Sequence, residues 1–568
     1  MNENGGTSGR REGYKLYSFN TSIRMPDKNI EFLEIFKKYE GKLVTSEVKI
    51  DIYKDAIQSG ALTPENMNSN IKAKIKRGEL LTEEEMSDVM EHNEPSNGFT
   101  GRVGDYIMSL ENQAFIQRLG TQRKYRIRLT ELGNRLLEGK YNEQDLYTKA
   151  MIGLEYGSTS RVTVDNKANP FLNTIFVINE LRNHYAQIGE DFKGITLYEF
   201  GLFVLTMKNC RYKKAVDDIL AYREEYGISE SEAFANDYLA SNNIQPYAKE
   251  TIYGSASYSD EVLRKFKKTG LIVERRTFQT RYINFNEQEI EKIFLLLEKY
   301  ENYSWKSYNS DDDYYEYIET IVLPWEESSS NYYKVLKRKA EAIDYNLNEE
   351  DITANDYEEI NKLYYQFVFE SNDYDQFPYE NIIKELQLID RTIDGDSSLS
   401  DVEEYVRFEW FTSLLLANKY GKENVKAHLI LDDEGLPLSQ APGNNPDVEL
   451  LNNDVHYNIE VTTIKNRNQQ LNAETTTVAR HLASANTDDL INKALLVAPF
   501  IHEDTIRYYR FEANDSNVTI VPITLSMFIK LVEKAMDIAQ FDALIEECCD
   551  KLKNCTIVEY EQFISEYE

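Results

Sequence analysis

Apolar residues recur with the period of an amphipathic helix in several parts of the N-terminal half. In residues 29–40 they return at every third or fourth position, which predicts a helix. Residues 79–97 are polar and acidic, so we predict a loop there with room for one short helix, and residues 98–119 are predicted to be helical again. Two or three core helices are predicted over residues 170–226.

A second pattern, with apolar residues at alternate positions, marks two basic segments. Over residues 123–129 apolar and basic residues alternate as in a half-exposed strand, and Thr130 then stands where a helix N-cap is expected. The combination of helix and alternating strands recurs at residues 257–285, where a predicted helix reaches the C-cap candidate Gly270 and a hairpin follows. A winged helix combines a helix that enters the major groove with a basic hairpin that contacts the phosphates. Small winged helices that serve protein contacts remain the alternative.

A chain of 568 residues is too long for one hydrophobic core. We therefore predict a multidomain α+β protein in four parts. Two DNA-recognition subdomains with winged-helix features are predicted at residues 1–145 and 146–295. An acidic, tyrosine-rich helical linker is predicted at residues 296–400, and an α/β domain that carries the chemistry at residues 401–568.

The net charge of −33 is the main objection to DNA binding, because phosphate contacts need lysine and arginine. The acidic charge is unevenly distributed: residues 1–300 carry −2, residues 301–400 carry −16 and residues 401–568 carry −15. The first part is therefore compatible with a polyanionic partner. An acidic linker beside such a part would repel phosphate and so limit where a duplex lies.

Basic residues gather in local clusters in the first 300 residues, one of them at residues 72–77. The candidate DNA contacts are Arg123, Lys124, Arg126, Arg128, Arg264, Lys265, Lys267, Lys268, Arg275, Arg276 and Arg281. Each cluster by itself is equally compatible with a solvated helix or strand face. Their recurrence in similar settings favours double-stranded DNA as the partner.

Several function classes are disfavoured. Because no run of about 18 apolar residues and no signal peptide occurs, we expect no membrane association and a cytoplasmic location. Four cysteines are neither a disulfide framework nor a zinc site, and the histidines share no metal-ligand spacing, so each histidine is expected to be a lone structural or surface residue. A phosphate-binding GxxxxGK[ST] loop is absent from the sequence, which argues against ATP hydrolysis. No methyltransferase cofactor loop is visible either, so DNA modification would need a separate methyltransferase.

The candidate chemistry lies in the C-terminal part. A helix is predicted over residues 401–420, with Glu409 beside its apolar face, and a strand over residues 425–431. Asp447 precedes one predicted strand, and Glu460 lies on the next strand of the same hairpin. Two carboxylates that converge in this way suit Mg²⁺, which prefers hard oxygen ligands, and we expect Mn²⁺ to substitute. Such an ion can activate water and stabilise charge on a phosphate.

Pro446-Asp447 followed 13 positions later by Glu460-Val461-Thr462 is similar to the hairpin of the PD-(D/E)XK nucleases. Thr462 occupies the position where those enzymes usually have lysine. Lys465 lies three positions further along and would substitute only if its side chain turned back to the same face.

Longer blocks carry a more specific resemblance. FEWFTSLLLANK, PGNNPDVEL, IEVTT and ETTTVARHL in the C-terminal part resemble the catalytic domain of the AlwI-type restriction endonucleases. YSFNTSIRMPDKNIEFLEIFKKYEGK, NPFLNTIFVI and GITLYEFGLFVLT look like other blocks of that family, in the same order. The family consists of type IIS enzymes that cut outside an asymmetric site, and it includes strand-specific nicking relatives. The resemblance implies a winged-helix recognition region, a helical linker and a C-terminal nuclease domain.

By this resemblance the catalytic carboxylates are Glu409, Asp447, Glu460 and Glu474, of which Glu409, Asp447 and Glu460 would hold metal. The family also has threonine where lysine is usual, so Thr462 does not mark an inactive copy. Arg480 and His481 match the family's Arg-His pair, and Arg480 would reach a DNA phosphate. Glu474 is also explained as ordinary helix capping, and Arg480 with His481 as a surface pair.

The sequence therefore predicts an Mg²⁺-dependent type IIS restriction endonuclease. One nuclease domain makes one cut at a time, so double-strand cleavage would need a transient homodimer or a second nuclease subunit, and without either the protein would nick. Two alternatives stay open: a DNA-binding regulator with an inactive nuclease fold, and a structure-specific DNA nuclease.

Overall fold

The structure is a computed structural model. It describes residues 17–76, 79–121, 124–154, 167–244, 252, 257–277, 280–306, 308–349, 352–400, 402–440, 445–452, 455–464, 470–471, 491–515 and 520–567. Within these residues no helix is both long enough and apolar enough to cross a membrane. All four cysteines are free.

Most described residues outside loops are helical. The helices are α1 (Lys28–Lys37), α2 (Ser46–Ser59), α3 (Ser69–Lys76), α4 (Glu83–His92), α5 (Gly98–Asn112), α6 (Glu131–Glu138), α7 (Glu143–Ile152), α8 (Pro170–Ile188), α9 (Leu197–Glu199), α10 (Tyr212–Tyr226), α11 (Glu232–Ser241), α12 (Tyr258–Lys267), α13 (Ile290–Lys299), α14 (Asp311–Glu319), α15 (Ser329–Ala342), α16 (Ala354–Ser371), α17 (Tyr379–Asp390), α18 (Glu404–Tyr420), α19 (Glu503–Asp515), α20 (Leu525–Lys534), α21 (Ile538–Asn554) and α22 (Ile557–Ser565). A π-helical turn follows α9 at Phe200–Val204, and 3₁₀ turns lie at Glu287–Glu289, Pro324–Glu326 and Lys422–Asn424.

The strands form small antiparallel sheets and one larger mixed sheet. They are β1 (Ile116–Thr121), β2 (Lys124–Leu129), β3 (Ile195–Thr196), β4 (Ile272–Thr277), β5 (Thr280–Phe285), β6 (Val425–Ala427), β7 (Ile430–Leu431), β8 (Pro437–Ser439), β9 (Val448–Leu451), β10 (Val455–Val461), β11 (Ile491–Ala498) and β12 (Ile520–Thr524). The chain divides into two compact units, each built from separate stretches of sequence, which confirms a multidomain α+β protein.

Unit 1 comprises Met1–Asn29, Asp105–Leu137 and Glu143–Glu327. It contains the antiparallel hairpin β1–β2 and a three-stranded antiparallel sheet in the order β3-β5-β4. The predicted strand and N-cap are confirmed, because β2 alternates exposed and buried residues and Thr130 Oγ1 accepts a hydrogen bond from Gly133 N at 3.1 Å.

The predicted helix over residues 98–119 is wrong at its C-terminal end. Helix α5 stops at Asn112, and Ala114 turns the chain with a φ of +61°. From Ile116 onward the chain forms β1, whose backbone pairs with β2. The helical periodicity could not show this pairing, because the partner strand follows later in the sequence.

Unit 2 comprises Ile30–Gly104, Glu138–Asn142 and Ser328–Glu568. Its five-stranded sheet has the order β12-β11-β10-β9-β6. Strands β12, β11 and β10 are parallel, whereas β9 is antiparallel to β10 and β6 is antiparallel to β9. Helices α18, α20 and α21 pack against this sheet and bury its apolar side chains.

The helical prediction for residues 296–400 is confirmed by α14 to α17. The last two of these helices, α16 and α17, also contribute side chains to a hydrophobic core. Tyr364 and Phe369 of α16 and Ile382 and Leu386 of α17 belong to the same hydrophobic core as the five-stranded sheet. The core of the C-terminal part therefore includes residues that precede position 401.

The single strand predicted over residues 425–431 is two strands in different sheets. Strand β6 lies at the edge of the five-stranded sheet, while β7 pairs with β8 across a tight turn. The Asp432 carboxylate holds this turn by accepting hydrogen bonds from the backbone N–H groups of Glu434 and Leu436, both at 2.9 Å. The turn leads the chain away from the sheet edge after Ala427.

Candidate active site

The hairpin β9–β10 has an apolar and a polar face. Its register pairs Val448 with Ile459 and Glu449 with Asn458. Side chains alternate between faces along a strand, so Glu449, Asn458 and Glu460 share one face. One step beyond the last pair, the same register places Asp447 opposite Glu460. Both candidate carboxylates therefore lie on the polar face, at the same end of the hairpin.

Asp447 lies just before β9 and is tied to the neighbouring strand. Its Oδ2 accepts a hydrogen bond from the backbone N–H of Val461 at 2.8 Å. This bond fixes the carboxylate beside the strand end that carries Glu460. The structure thus brings together the two acids that the sequence predicted to converge.

Two of the candidate carboxylates are almost completely buried. Glu460 is 5% exposed, and Glu409, on helix α18, is 4% exposed. Helix α18 packs against β6, β9 and β10, the strands around Asp447 and Glu460. Burying an ionised carboxylate costs free energy unless a cation or hydrogen-bond donors compensate it. Glu409 and Glu460 are therefore enclosed beside the hairpin and not exposed to solvent.

Two orphaned polar groups lie close to these acids in the fold. Asn458 Nδ2 and Thr412 Oγ1 are buried with no hydrogen-bond partner among the described residues. Asn458 precedes Glu460 by two residues on the same face of β10, and Thr412 follows Glu409 by three residues on α18. A buried donor without a partner is costly. Both groups can form a hydrogen bond with a water molecule held beside the carboxylates.

The residues present fit a magnesium ion that keeps several of its waters, which is how Mg²⁺ usually binds proteins. Asp447 and Glu460 supply hard oxygen ligands, and Asn458 can donate to a water ligand. Within the described part of the chain, no group of three or more acidic, histidine or cysteine side chains could hold a metal on its own. Glu474, the fourth predicted carboxylate, lies outside the described residues, as do Lys465, Arg480 and His481.

Thr462, which follows Glu460 by two positions, has a structural role at the end of β10. Its backbone N–H donates to Val497 O at 3.0 Å, and its side-chain oxygen accepts from Ile464 N at 3.1 Å. These bonds end β10 in a turn beside β11. The hydroxyl cannot replace the charge of an ammonium group.

A second acidic centre, which the sequence reasoning missed, lies next to Asp447. Glu449 accepts a hydrogen bond from His428 Nε2 at one oxygen and from His456 Nε2 at the other, both at 2.5 Å. Burial raises the pKa of Glu449, but the two histidine bonds outweigh burial and hold that pKa well below its usual range. Burial also lowers the pKa of His428.

The expectation that each histidine is a lone residue is therefore wrong for His428 and His456. They bind one carboxylate from strand β10 and from the end of β6, on either side of β9. The sequence does contain a signal for two of these residues. Side chains alternate between the faces of a strand, so Glu449 and His456 are expected on the same face of the hairpin as Asp447. His428 could be added only once the register of β6 was known.

The predicted DNA contacts of the first hairpin are exposed. Lys124, Arg126 and Arg128 occupy alternate positions of β2 and all point outward. Arg128 is steadied by Gln117 Oε1 at 2.5 Å, and Gln117 in turn donates to Asp312 of α14 at 2.7 Å. This row of positive charge suits a phosphate backbone. Arg123 lies outside the described residues.

The second predicted cluster is largely used inside the protein. Lys265 is 0% exposed, and its ammonium group donates to Glu261, to Ile23 O and to Arg24 O at 2.7, 2.8 and 2.9 Å. Lys268 is also buried and pairs with Glu143 at 3.2 Å. As a correction, Lys265 and Lys268 are not available to DNA, because burial and these bonds occupy their charges.

The remaining members of this cluster differ in how far their charge is compensated. Arg264 pairs with Asp260 at 2.9 Å, and Arg281 pairs with Asp260 at 2.7 Å and with Glu274 at 2.6 Å. Arg276 is exposed, and Lys267 and Arg275 are half-buried. Helix α12 is thus bound to the N-terminal segment and to the hairpin β4–β5. Its charged side chains therefore do not form an exposed face that could enter a DNA groove.

The comparison with protein families decides the relationship that these features suggest. The sequence model described as AlwI restriction endonuclease matches residues 115–531. The chain belongs to the AlwI restriction endonuclease family. The match begins immediately before β1 and ends in α20, so the AlwI-family region contains both basic hairpins and the hairpin with Asp447 and Glu460.

Solved structures of restriction endonucleases are similar to this AlwI-family chain at low identity. The small subunit of the heterodimeric restriction endonuclease R.BspD6I is 20% identical, with 33% of this chain and 97% of that chain covered and a TM-score of 0.27. Restriction endonuclease FokI bound to DNA is 11% identical, with 93% and 97% covered and a TM-score of 0.22. No curated protein sequence matches the chain.

Proposed function

We propose that this AlwI-family protein is a magnesium-dependent type IIS restriction endonuclease. The observation that carries the proposal is the placement of Asp447 and Glu460 on one face of the β9–β10 hairpin, with Asp447 fixed by Val461 N. The family relationship supplies the class of reaction, which is hydrolysis of DNA phosphodiester bonds. The mixed sheet around the hairpin supports assignment of a PD-(D/E)XK-like nuclease domain.

Recognition of an asymmetric duplex site is assigned to unit 1. Its sheet β3-β5-β4 with helices α10 to α12 supports a winged-helix subdomain, and the exposed row on β2 supports contact with a phosphate backbone. Cleavage at a fixed short distance from that site is assigned to unit 2, which carries Asp447 and Glu460.

In the mechanism, Asp447 and Glu460 would hold Mg²⁺, Glu409 would assist from α18, and Glu474 would complete the set. The ion, when bound, would lower the pKa of a water molecule and neutralise charge that develops on the scissile phosphate. The Val461 N–H keeps the Asp447 carboxylate in a fixed orientation, and Asn458 Nδ2 can donate a hydrogen bond to the attacking water.

One such site per chain makes one cut at a time. We propose that the protein nicks one strand on its own and that a transient homodimer or a second nuclease subunit is needed for the other strand. A separate methyltransferase would protect host DNA, and the prokaryotic cytoplasm is the proposed place of action.

The test is digestion of supercoiled plasmid with Mg²⁺ or Mn²⁺, followed by sequencing of the ends. Wild type is compared with Asp447→Asn, which keeps the shape of the side chain but removes its charge. We expect discrete ends at a fixed distance from one asymmetric sequence, and a loss of at least a hundredfold in rate for the variant with unchanged DNA affinity. Open-circle product alone would identify a nickase.

A wild-type protein that binds DNA but leaves the plasmid intact with both metals would contradict the proposal and favour a DNA-binding regulator. Cleavage that depends on branches or single strands rather than on a sequence would favour a structure-specific nuclease. Equal activity of wild type and Asp447→Asn would place the active site elsewhere.

A further inference from the structure

Two lysines meet beside Asp447 on the polar face of the hairpin. Lys362 projects from α16, and its Nζ donates to the side-chain oxygen of Asn445 at 2.6 Å. Asn445 precedes Asp447 by two residues, so this lysine reaches the loop that enters the candidate active site. Its partner is a neutral amide and not a carboxylate.

Lys426 approaches the same place from the sheet edge. The register of β6 with β9 puts Lys426 directly opposite Glu449, so its side chain lies on the same face as Asp447. Asp447 occupies the diagonal position, for which side chains start about 7–8 Å apart. The Lys426 side chain is 46% exposed, and its Nζ lies 3.6 Å from Glu449 Oε2.

Among the described residues, neither lysine donates a hydrogen bond of ordinary length to a carboxylate. Glu449 interacts electrostatically with both lysines, but its two oxygens already accept hydrogen bonds from His428 and His456. The ammonium groups therefore keep N–H donors for a further acceptor. By contrast, Lys493 of β11 is fully paired, with Asp542 at 2.6 Å.

The two ammonium groups lie beside the carboxylates of the candidate active site. Residues 401–568 carry a net charge of −15, which opposes the approach of a polyanion. A polyanion that reaches Asp447 needs a local positive contact, and exposed ammonium groups act as point charges for phosphate. Lys362 and Lys426 are exposed and flank the loop that carries Asp447.

We propose that Lys362 and Lys426 form a phosphate-binding site for the DNA strand that is cut, next to the scissile phosphate. Lys362 holds the phosphate from the helical side and Lys426 from the sheet edge, so that the backbone is guided over Asp447 and Glu460. The site rests on the proposed nuclease function for its meaning, but its binding of DNA phosphate is independent of cleavage.

The test measures DNA binding without divalent metal, where no cleavage intervenes. Affinity for a duplex plasmid fragment is followed against salt concentration for wild type, Lys362→Ala/Lys426→Ala and Lys362→Arg/Lys426→Arg. Each lost phosphate contact reduces the slope of log affinity against log salt by about 0.9. We expect the alanine pair to lower the slope by about 1–2 and the arginine pair to restore it.

Lys384→Ala is the matched control, because Lys384 is an exposed lysine on the neighbouring helix α17. A slope for the alanine pair that equals wild type and Lys384→Ala would overturn the phosphate site. If wild type also fails to cut plasmid while the alanine pair still lowers the slope, the site stands and the nuclease function falls. If wild type cuts and the slope is unchanged, the function stands and the site falls.

Discussion

Replacement of Lys265 by methionine is expected to destabilise unit 1 without removing a DNA contact. Lys265 was predicted from its sequence context to bind phosphate, but the structure encloses it completely. All three protons of its ammonium group are used, by Glu261 and by the carbonyl groups of Ile23 and Arg24. Methionine has a similar length and offers no donor.

The magnitude follows from what the substitution leaves behind. Glu261 would stay buried without its cation, and the described residues would leave it Ser18 Oγ at 3.2 Å and Phe19 N at 3.3 Å as donors. Removal of one partner of a buried ion pair costs about 3–5 kcal/mol. For a unit of this size that loss corresponds to a drop of roughly 6–20 °C in the unfolding temperature. The double variant Glu261→Gln/Lys265→Met removes both charges and should lose less.

The assay combines thermal unfolding with hydrogen exchange of peptides that cover the N-terminal segment and α12. Faster exchange in both peptides is expected for Lys265→Met, because Lys265 joins these two segments. Lys267→Met, at a half-buried neighbour in the same helix, is the control and should change stability by less than about 1 kcal/mol. Unchanged stability together with a salt slope of DNA binding reduced by about 0.9 would refute the reasoning, since Lys265 would then contact phosphate.

Two further predictions concern charge. Arg126→Ala on the exposed face of β2 should reduce the salt slope of DNA binding by about 0.9 with little change in stability, and an unchanged slope would remove β2 from the DNA contacts. His428 should make unit 2 less stable in mild acid. Burial lowers the pKa of His428 in the folded protein, so below the ordinary pKa of 6.5 the unfolded chain binds a proton more readily than the folded protein does. The contribution of His428 to stability is then complete above pH 6.5, and below pH 6.5 it falls by at most about 1.4 kcal/mol per pH unit. Denaturant titrations from pH 7.5 to 5.5 measure this fall. The free energy of unfolding should depend less on pH for His428→Gln than for wild type.

Features that depend on neighbouring residues were predictable from the sequence. Alternation predicted β2 and the β4–β5 hairpin, and it placed Asp447 and Glu460 on adjacent strands of one hairpin. Both carboxylates lie within a single local motif, so no knowledge of distant contacts was needed. The family relationship was likewise visible in short blocks of residues and is confirmed by the match over residues 115–531.

Features that depend on residues far apart in the sequence were not predictable. Lys265 has the appearance of a surface lysine until the chain 242 residues earlier covers it. Lys362 reaches Asn445 across 83 residues, and His428 reaches Glu449 only through the register of β6. Composition and spacing carry no information about such pairs, because packing of separate elements creates them.

The interleaved order of the two units has a consequence for synthesis and for engineering. Residues 30–104 leave the ribosome early, but apart from Glu138–Asn142 the rest of their unit begins only at Ser328, after unit 1 has been made. Because domains fold as units during synthesis, this early stretch has to wait for the C-terminal part before unit 2 can close. A cut at residue 400 would divide the hydrophobic core that α16 and α17 share with the five-stranded sheet, so an exchange of the cleavage domain with another enzyme would have to begin before α16.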